Sequence, residues 1–162
     1  MNKFVQIGAG SSDLDKKYED GFANFIKNNN QDSEIYVVEA NSIHIEKLKK
    51  SWTPNKNVKI FNFAITPDNN RDKEMIFYYC EKDTPDFQIF SNSKKFVRKH
   101  FPDGKILQTI VNCKPLSIFL SENSLDEIEF LSLDIEGMDV DVLMNIYLNK
   151  FKFKNISFEH LH

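Results

Sequence analysis

The chain has 162 residues and a formal net charge of −3 at pH 7, enough for one domain with a real core and without the basic stripe that an obligatory nucleic-acid partner demands. Two cysteines, Cys80 and Cys113, are too few for a disulfide scaffold and are not spaced as zinc ligands. No apolar run reaches the length of a membrane span, and the first strand begins too early to leave room for a signal peptide, so a reduced, cytoplasmic protein is expected.

The first apolar run, Phe4 to Ile7, stops at Gly8-Ala9-Gly10 and predicts a strand. Gly8 to Tyr18 reads as a polar loop. Phe22, Phe25 and Ile26 recur at helical spacing and predict a helix from Glu19 to about Asn28. Ile35 to Val38 is a continuous apolar run, as in a strand buried on both faces of a parallel sheet, and it stops at Glu39. Ser42 can cap a helix whose face is Ile45, Leu48 and Trp52, closed by Pro54-Asn55. Val58 to Ile65 predicts the third strand.

The alternation then changes. Met75 to Cys80 and Ile106 to Cys113 are strand-like, and Phe96, Val97, His100 and Phe101 have helical spacing. This section reads as an insertion with partly antiparallel strands. Leu116 to Leu120 predicts one helical turn. Phe130 to Leu133 is the fourth core strand and stops at Asp134-Ile135-Glu136-Gly137. Val142, Leu143, Ile146 and Tyr147 form the inward stripe of the next helix, and Asn155 to Phe158 is a last strand. The expected architecture is one domain over residues 1–162 with core strand order 3-2-1-4-5. Gly8, Glu39 and Asp134 should then converge on one cleft, since ligands of open α/β sheets bind at the carboxyl ends of the strands.

The strand ends carry the chemistry. Gly8 and Gly10 let the backbone turn sharply and approach a ligand. The third glycine of a dinucleotide fingerprint is replaced by Asp13, which would repel a pyrophosphate and attract a cationic amino group. Glu39 can accept two hydrogen bonds from a ribose diol; the bland alternative is a solvated strand-end Glu. His160 and His162 alternate on the terminal strand, but no third ligand stands at a recognisable spacing, so no metal is assigned. His44 and His100 receive no role. Some Phe residues between Phe87 and Phe101 are candidates for an acceptor pocket. The helix with Lys94, Lys95, Arg98 and Lys99 is either a solvated face or a contact for an anionic acceptor.

Four stretches together resemble a family. They are Val5-Gln6-Ile7-Gly8-Ala9-Gly10, Val37-Val38-Glu39-Ala40-Asn41, Asn62-Phe63-Ala64-Ile65 and, most specifically, Phe130-Leu131-Ser132-Leu133-Asp134-Ile135-Glu136-Gly137-Met138-Asp139. This pattern is similar to that of the FkbM-type methyltransferases, S-adenosylmethionine-dependent enzymes with the class I methyltransferase fold. It spreads from Phe4 to Glu159. The sequence departs from it at Gly10, where many members have Asn, and at Lys114-Pro115-Leu116, where Thr-Leu-Asp is usual.

The resemblance implies a three-layer, Rossmann-like α/β sandwich with a mostly parallel sheet. It implies that Gly8, Ala9 and Gly10 pass close to the methionine part of S-adenosylmethionine, with Asp13 helping to hold its amino group. Glu39, beside Ala40, would hold the ribose, and Phe63 and Ala64 would flank the adenine. Asp134 and Glu136 would sit at the methyl-transfer centre. Methyl transfer from a sulfonium needs in-line placement, and an alcohol acceptor must also lose a proton. Asp134 is the first choice of base and Glu136 the second; the alternative is that Asp134 orders the loop and Glu136 caps the next helix. The implied acceptor is a hydroxyl of a sugar, glycan or small molecule. Glu39→Gln is expected to cost less cofactor affinity than Glu39→Ala, because one acceptor survives. Two other classes stay open: a nicotinamide-dependent oxidoreductase and a catalytically inactive binding or assembly module. The helix and hairpin that normally complete this sheet are not seen after His162. The strand from Asn155 to Glu159 is therefore expected at or near an open sheet edge, with self-association, poor solubility or a partner chain as the consequence.

Overall fold

The computed structural model describes residues 1–12, 21–29, 32–53, 55–84, 87–146 and 150–159. Five strands form the main sheet: β1 (Lys3–Ile7), β2 (Glu34–Val38), β3 (Val58–Phe61), β7 (Glu127–Leu133) and β8 (Lys152–Phe158). Their order is β3-β2-β1-β7-β8, with all neighbours parallel. This is the expected 3-2-1-4-5 arrangement. A smaller sheet, β4-β6-β5, is built from β4 (Ala64–Thr66), β5 (Glu74–Cys80) and β6 (Ile106–Pro115).

Strand periodicity places the core on both faces. Successive side chains of a strand point to opposite sides. Phe4, Ile35 and Val37 therefore pack on one face, and Val5, Ile7, Tyr36 and Val38 on the other. The first face is covered by Phe22, Ala23 and Ile26 of α1 (Gly21–Asn29) and by Leu48 and Trp52 of α2 (Ile45–Trp52). The second is covered by Leu116, Phe119 and Leu120 of α4 (Leu116–Glu122), by Val142 of α5 (Asp139–Met144), and by Phe77 and Val111 of the small sheet. Each of the buried Val, Leu, Ile and Phe side chains contributes about 1.5–3 kcal/mol of transfer free energy, and the result is a three-layer α/β sandwich.

The third strand differs from expectation. Val58 to Ile65 is two strands in two sheets. The chain leaves the β2 ladder at Asn62, whose Nδ2 donates to the carbonyls of Glu39 at 2.8 Å and Ala40 at 3.2 Å. Ala64 then pairs with Cys113 of β6. The middle insertion is partly antiparallel, as expected: β6 runs antiparallel to β5 through Ile106–Asn112 and parallel to β4 through Cys113–Pro115. Within it α3 spans Lys94–His100, capped by Ser93, whose Oγ accepts from the Phe96 N–H at 3.2 Å.

Strand β8 begins three residues earlier than its apolar stretch predicts. Lys152 and Lys154 extend it by pairing across the strand with Glu127 at 3.0 Å and Glu129 at 2.6 Å. Tyr147, His160 and His162, like Glu19 and Pro54, lie outside the described residues. Among the described residues no helix is long and apolar enough to cross a membrane.

Candidate active site

The registers of the parallel strands bring four chain ends level. Ile7 is opposite both Val38 and Leu133, and Val38 is opposite Phe61. The next residues, Gly8, Glu39, Asn62 and Asp134, therefore emerge side by side. Backbone bonds continue one step past the ladders: Gly8 N–H donates to the Val38 carbonyl at 2.9 Å, Glu39 N–H to Phe61 at 3.0 Å and Asp134 N–H to Ile7 at 2.9 Å.

Gly8 has φ +80°, and a Cβ there would stand 1.7 Å from the Asp134 carbonyl oxygen. Only glycine lets β1 turn at that point. Gly10, at φ +54°, turns the loop again. Its N–H donates to Glu39 Oε2 at 2.7 Å, and the Asn41 N–H donates to Oε1 at 2.6 Å. Glu39 is buried, and burial pushes its carboxyl up to about 6 against the lowering effect of those N–H groups. The carboxylate thus clamps the glycine loop to the end of β2.

The loop after β7 is held by another buried acid. The Ile135 N–H donates to both carboxylate oxygens of Asp139, at 3.3 and 3.4 Å. Ser91, fully buried, donates its Oγ to the Glu136 carbonyl at 2.7 Å. Glu136 itself sits at φ +54°. Burial first, then the nearby Asp134, Glu159, Asp139 and Asp83, pushes its carboxyl up to about 8. The shift favours its protonated form, while Asp134 beside it is exposed.

These pieces line one cleft, with about 620 Å³ of free space when the part open to solvent is counted. The family model described as Methyltransferase FkbM domain matches residues 6–162. The chain belongs to this methyltransferase family. No curated protein and no solved structure gave a match.

In this FkbM domain Gly8, Gly10, Glu39, Ala40, Phe63, Ala64, Asp134 and Glu136 all line the cleft. Ala9 does not: its side chain packs into the core with Phe22, Ile35 and Val37. Asp13 lies outside the described residues. Among the described residues no cluster of His, Cys, Asp or Glu is arranged to hold a metal. The basic residues of α3 are absent from the cleft wall; Arg98 instead donates to the carbonyls of Pro102 at 2.9 Å and Gly104 at 2.7 Å.

Phe90, from the Phe87–Phe101 section read as a candidate acceptor pocket, lines the cleft, and sequence reasoning missed Asn41, His44, Phe77, Gln88 and Met138, which also line it. His44 follows Glu39 by little more than a turn, and that proximity was the available signal. Gln88 carries no motif, and only the folding back of the insertion brings it in.

The raised acids give a pH prediction. Folded, Glu136 keeps its proton to about pH 8; its ordinary value is 4.5. The folded chain binds more protons across that window, so it loses stability as pH rises through it. Glu39, pushed up to about 6, acts in the same sense over a narrower range. Glu136→Gln should flatten the fall in melting temperature between about pH 5 and 8. Identical slopes in variant and parent would mean that Glu136 is ionised in the folded state.

Proposed function

We propose that this FkbM domain binds S-adenosylmethionine in the cleft and transfers its methyl group to a hydroxyl oxygen of a sugar, glycan or small molecule in the cytoplasm. The observation that carries this reading is the convergence of the Gly8–Gly10 loop, the clamped Glu39 carboxylate and Phe63-Ala64 in one cleft with Asp134. The donor set fits. The Glu39 carboxylate accepts from the Gly10 and Asn41 N–H groups, with the Ala40 N–H also directed at it, and its four lone pairs leave room for a ribose hydroxyl. None of the described lining residues is Lys or Arg, whereas Glu39 and Asp134 supply carboxylates. That lining favours a ligand with cationic sulfonium and ammonium groups over a nicotinamide dinucleotide with its pyrophosphate.

Bound S-adenosylmethionine supplies an electrophilic methyl on a sulfonium. The chain's residues orient the acceptor and move its proton. Asp134 would take the hydroxyl proton that the acceptor oxygen loses when it is methylated. Glu136, whose carboxyl is pushed up by burial and the neighbouring acids, is assigned to donate a hydrogen bond to the acceptor, with Asp134 as base.

Transfer of labelled methyl to a panel of neutral sugars and glycans is the test. Label on a hydroxyl oxygen is expected; tight cofactor binding with no transfer to any hydroxyl would favour the binding-module reading. Glu39→Ala should weaken S-adenosylmethionine binding by about 1–3 kcal/mol, and unchanged affinity would remove Glu39 from the site.

Self-association belongs to the same proposal. β8 lies at the edge of the main sheet, with Ile156 and Phe158 40% and 44% exposed. Lys152 and Lys154 guard its first half, so pairing with a second copy is assigned to Asn155–Glu159. Sedimentation should show a concentration-dependent dimer; a strict monomer at all concentrations would end the idea.

A further inference from the structure

A short strap crosses the mouth of the cleft, formed by residues 87–91 of the insertion. Its start is tied to the end of β2, where Asn41 Nδ2 donates to the Phe87 carbonyl at 3.2 Å. Its end is tied to the end of β7 by the Ser91–Glu136 bond of 2.7 Å. In between, Gln88 faces the β1 loop: its Oε1 would lie 3.8 Å from a Cβ on Gly10. The strap thus passes over β2, β1 and β7 in their spatial order.

The strap is also anchored from behind. Ser91 and Tyr78 exchange backbone hydrogen bonds of 2.7 and 3.1 Å, and the Ile89 N–H donates to Asp83 Oδ2 at 2.8 Å. Phe90 stacks on Phe77 with ring centroids 5.0 Å apart. Phe87 is held at φ +50°, a conformation that costs a non-glycine residue about 1–3 kcal/mol and persists only where surroundings enforce it.

This framework carries an unsatisfied group into the cleft. Gln88 lines it, and its Nε2 is shielded from solvent without a hydrogen-bond partner. A buried donor left in that state costs free energy unless a ligand accepts from it. The nearest part of the proposed ligand is fixed by position. Gln88 stands over Gly10, at the glycine-loop end of the cleft. The carboxylate of an α-amino acid suits an amide N–H there, and its ammonium group suits the amide oxygen.

We infer that Gln88 is a cofactor-binding residue, supplied by the insertion, that holds the amino-acid end of S-adenosylmethionine. The inference rests on the proposed cofactor reading of the cleft, and its test separates the two. Wild-type and Gln88→Met chains are titrated with S-adenosylhomocysteine and with methylthioadenosine. The second ligand has the nucleoside and thioether but no amino-acid end. Methionine keeps the length of the side chain and its packing while removing the amide. Gln88→Met should weaken S-adenosylhomocysteine roughly 10- to 100-fold, the scale of a lost hydrogen bond to a charged group, and leave methylthioadenosine within about twofold. Gln88→Glu, which sets an anion against the ligand carboxylate, should lose at least as much of the first ligand and again spare the second. Equal losses for both ligands, or no loss for either, would overturn the role of Gln88 while leaving the cofactor site in place. Failure of the wild-type chain to bind either ligand would overturn the cofactor reading and this inference with it.

Discussion

Gly8→Ala is expected to destabilise the domain by about 3 kcal/mol or more, read from the midpoint of chemical denaturation. Two effects add. A left-handed φ costs a non-glycine residue about 1–3 kcal/mol, and forcing extra volume into a packed site costs about 1–3 kcal/mol. The added methyl would meet the carbonyl oxygen of Asp134 at 1.7 Å and its carbon at 2.6 Å. That carbonyl cannot retreat cheaply, because the Asp134 N–H is bonded to Ile7 at 2.9 Å. Gly10→Ala is the internal control. Its φ is also positive, but the nearest atom to a new Cβ is Gln88 Oε1 at 3.8 Å, so only the conformational cost of about 1 kcal/mol remains. Equal losses in the two variants would show that the Gly8–Asp134 contact does not constrain β1.

Asp134→Asn is expected to reduce turnover about 10²–10⁴-fold, the usual span for loss of a general base, with cofactor affinity nearly intact. The structure supplies the reason for that separation. The backbone of Asp134 forms the wall against Gly8 and continues the β1 pairing, and both contacts survive the change of side chain. Glu136→Gln should act differently. Because burial and the neighbouring acids favour the protonated form of Glu136, a neutral amide resembles that form, and activity at pH 7 should change little. Turnover and a pH–rate profile unchanged by Asp134→Asn would send the acceptor proton to another group.

The frame of the fold was legible because its signals are local. Apolar runs that stop at Gly8, Glu39 and Asp134 mark strand ends without knowledge of what they pair with, and two-sided burial of β2 follows from the continuous apolar run Ile35–Val38. The features that were not legible depend on contacts between distant residues. The split of Val58–Ile65 depends on the Asn62 side chain reaching the carbonyl of Glu39, 23 positions away. Ala9 belongs to the glycine loop in sequence, but the turn at Gly8 directs it into the core. Gln88 reaches the cleft only through the Tyr78–Ser91 pairing.

Glu39 shows the same limit at the level of a single side chain. From sequence, Glu39→Gln keeps one acceptor and should be milder than alanine. In the fold both oxygens accept backbone N–H groups, from Gly10 and Asn41. An amide would turn its own NH₂ toward one of those donors, so the cost of glutamine should approach that of alanine. Local chemistry named the residue, and its second task as clamp of the loop appears only in three dimensions.

The central claim is that the cleft at the ends of β1, β2 and β7 is a site for S-adenosylmethionine. Calorimetric titration of the wild-type chain with S-adenosylmethionine and S-adenosylhomocysteine tests it most directly. The account predicts saturable, single-site binding of both, weakened in Glu39→Ala. Absence of saturable heat from either ligand, or binding of a nicotinamide dinucleotide in their place, would contradict it.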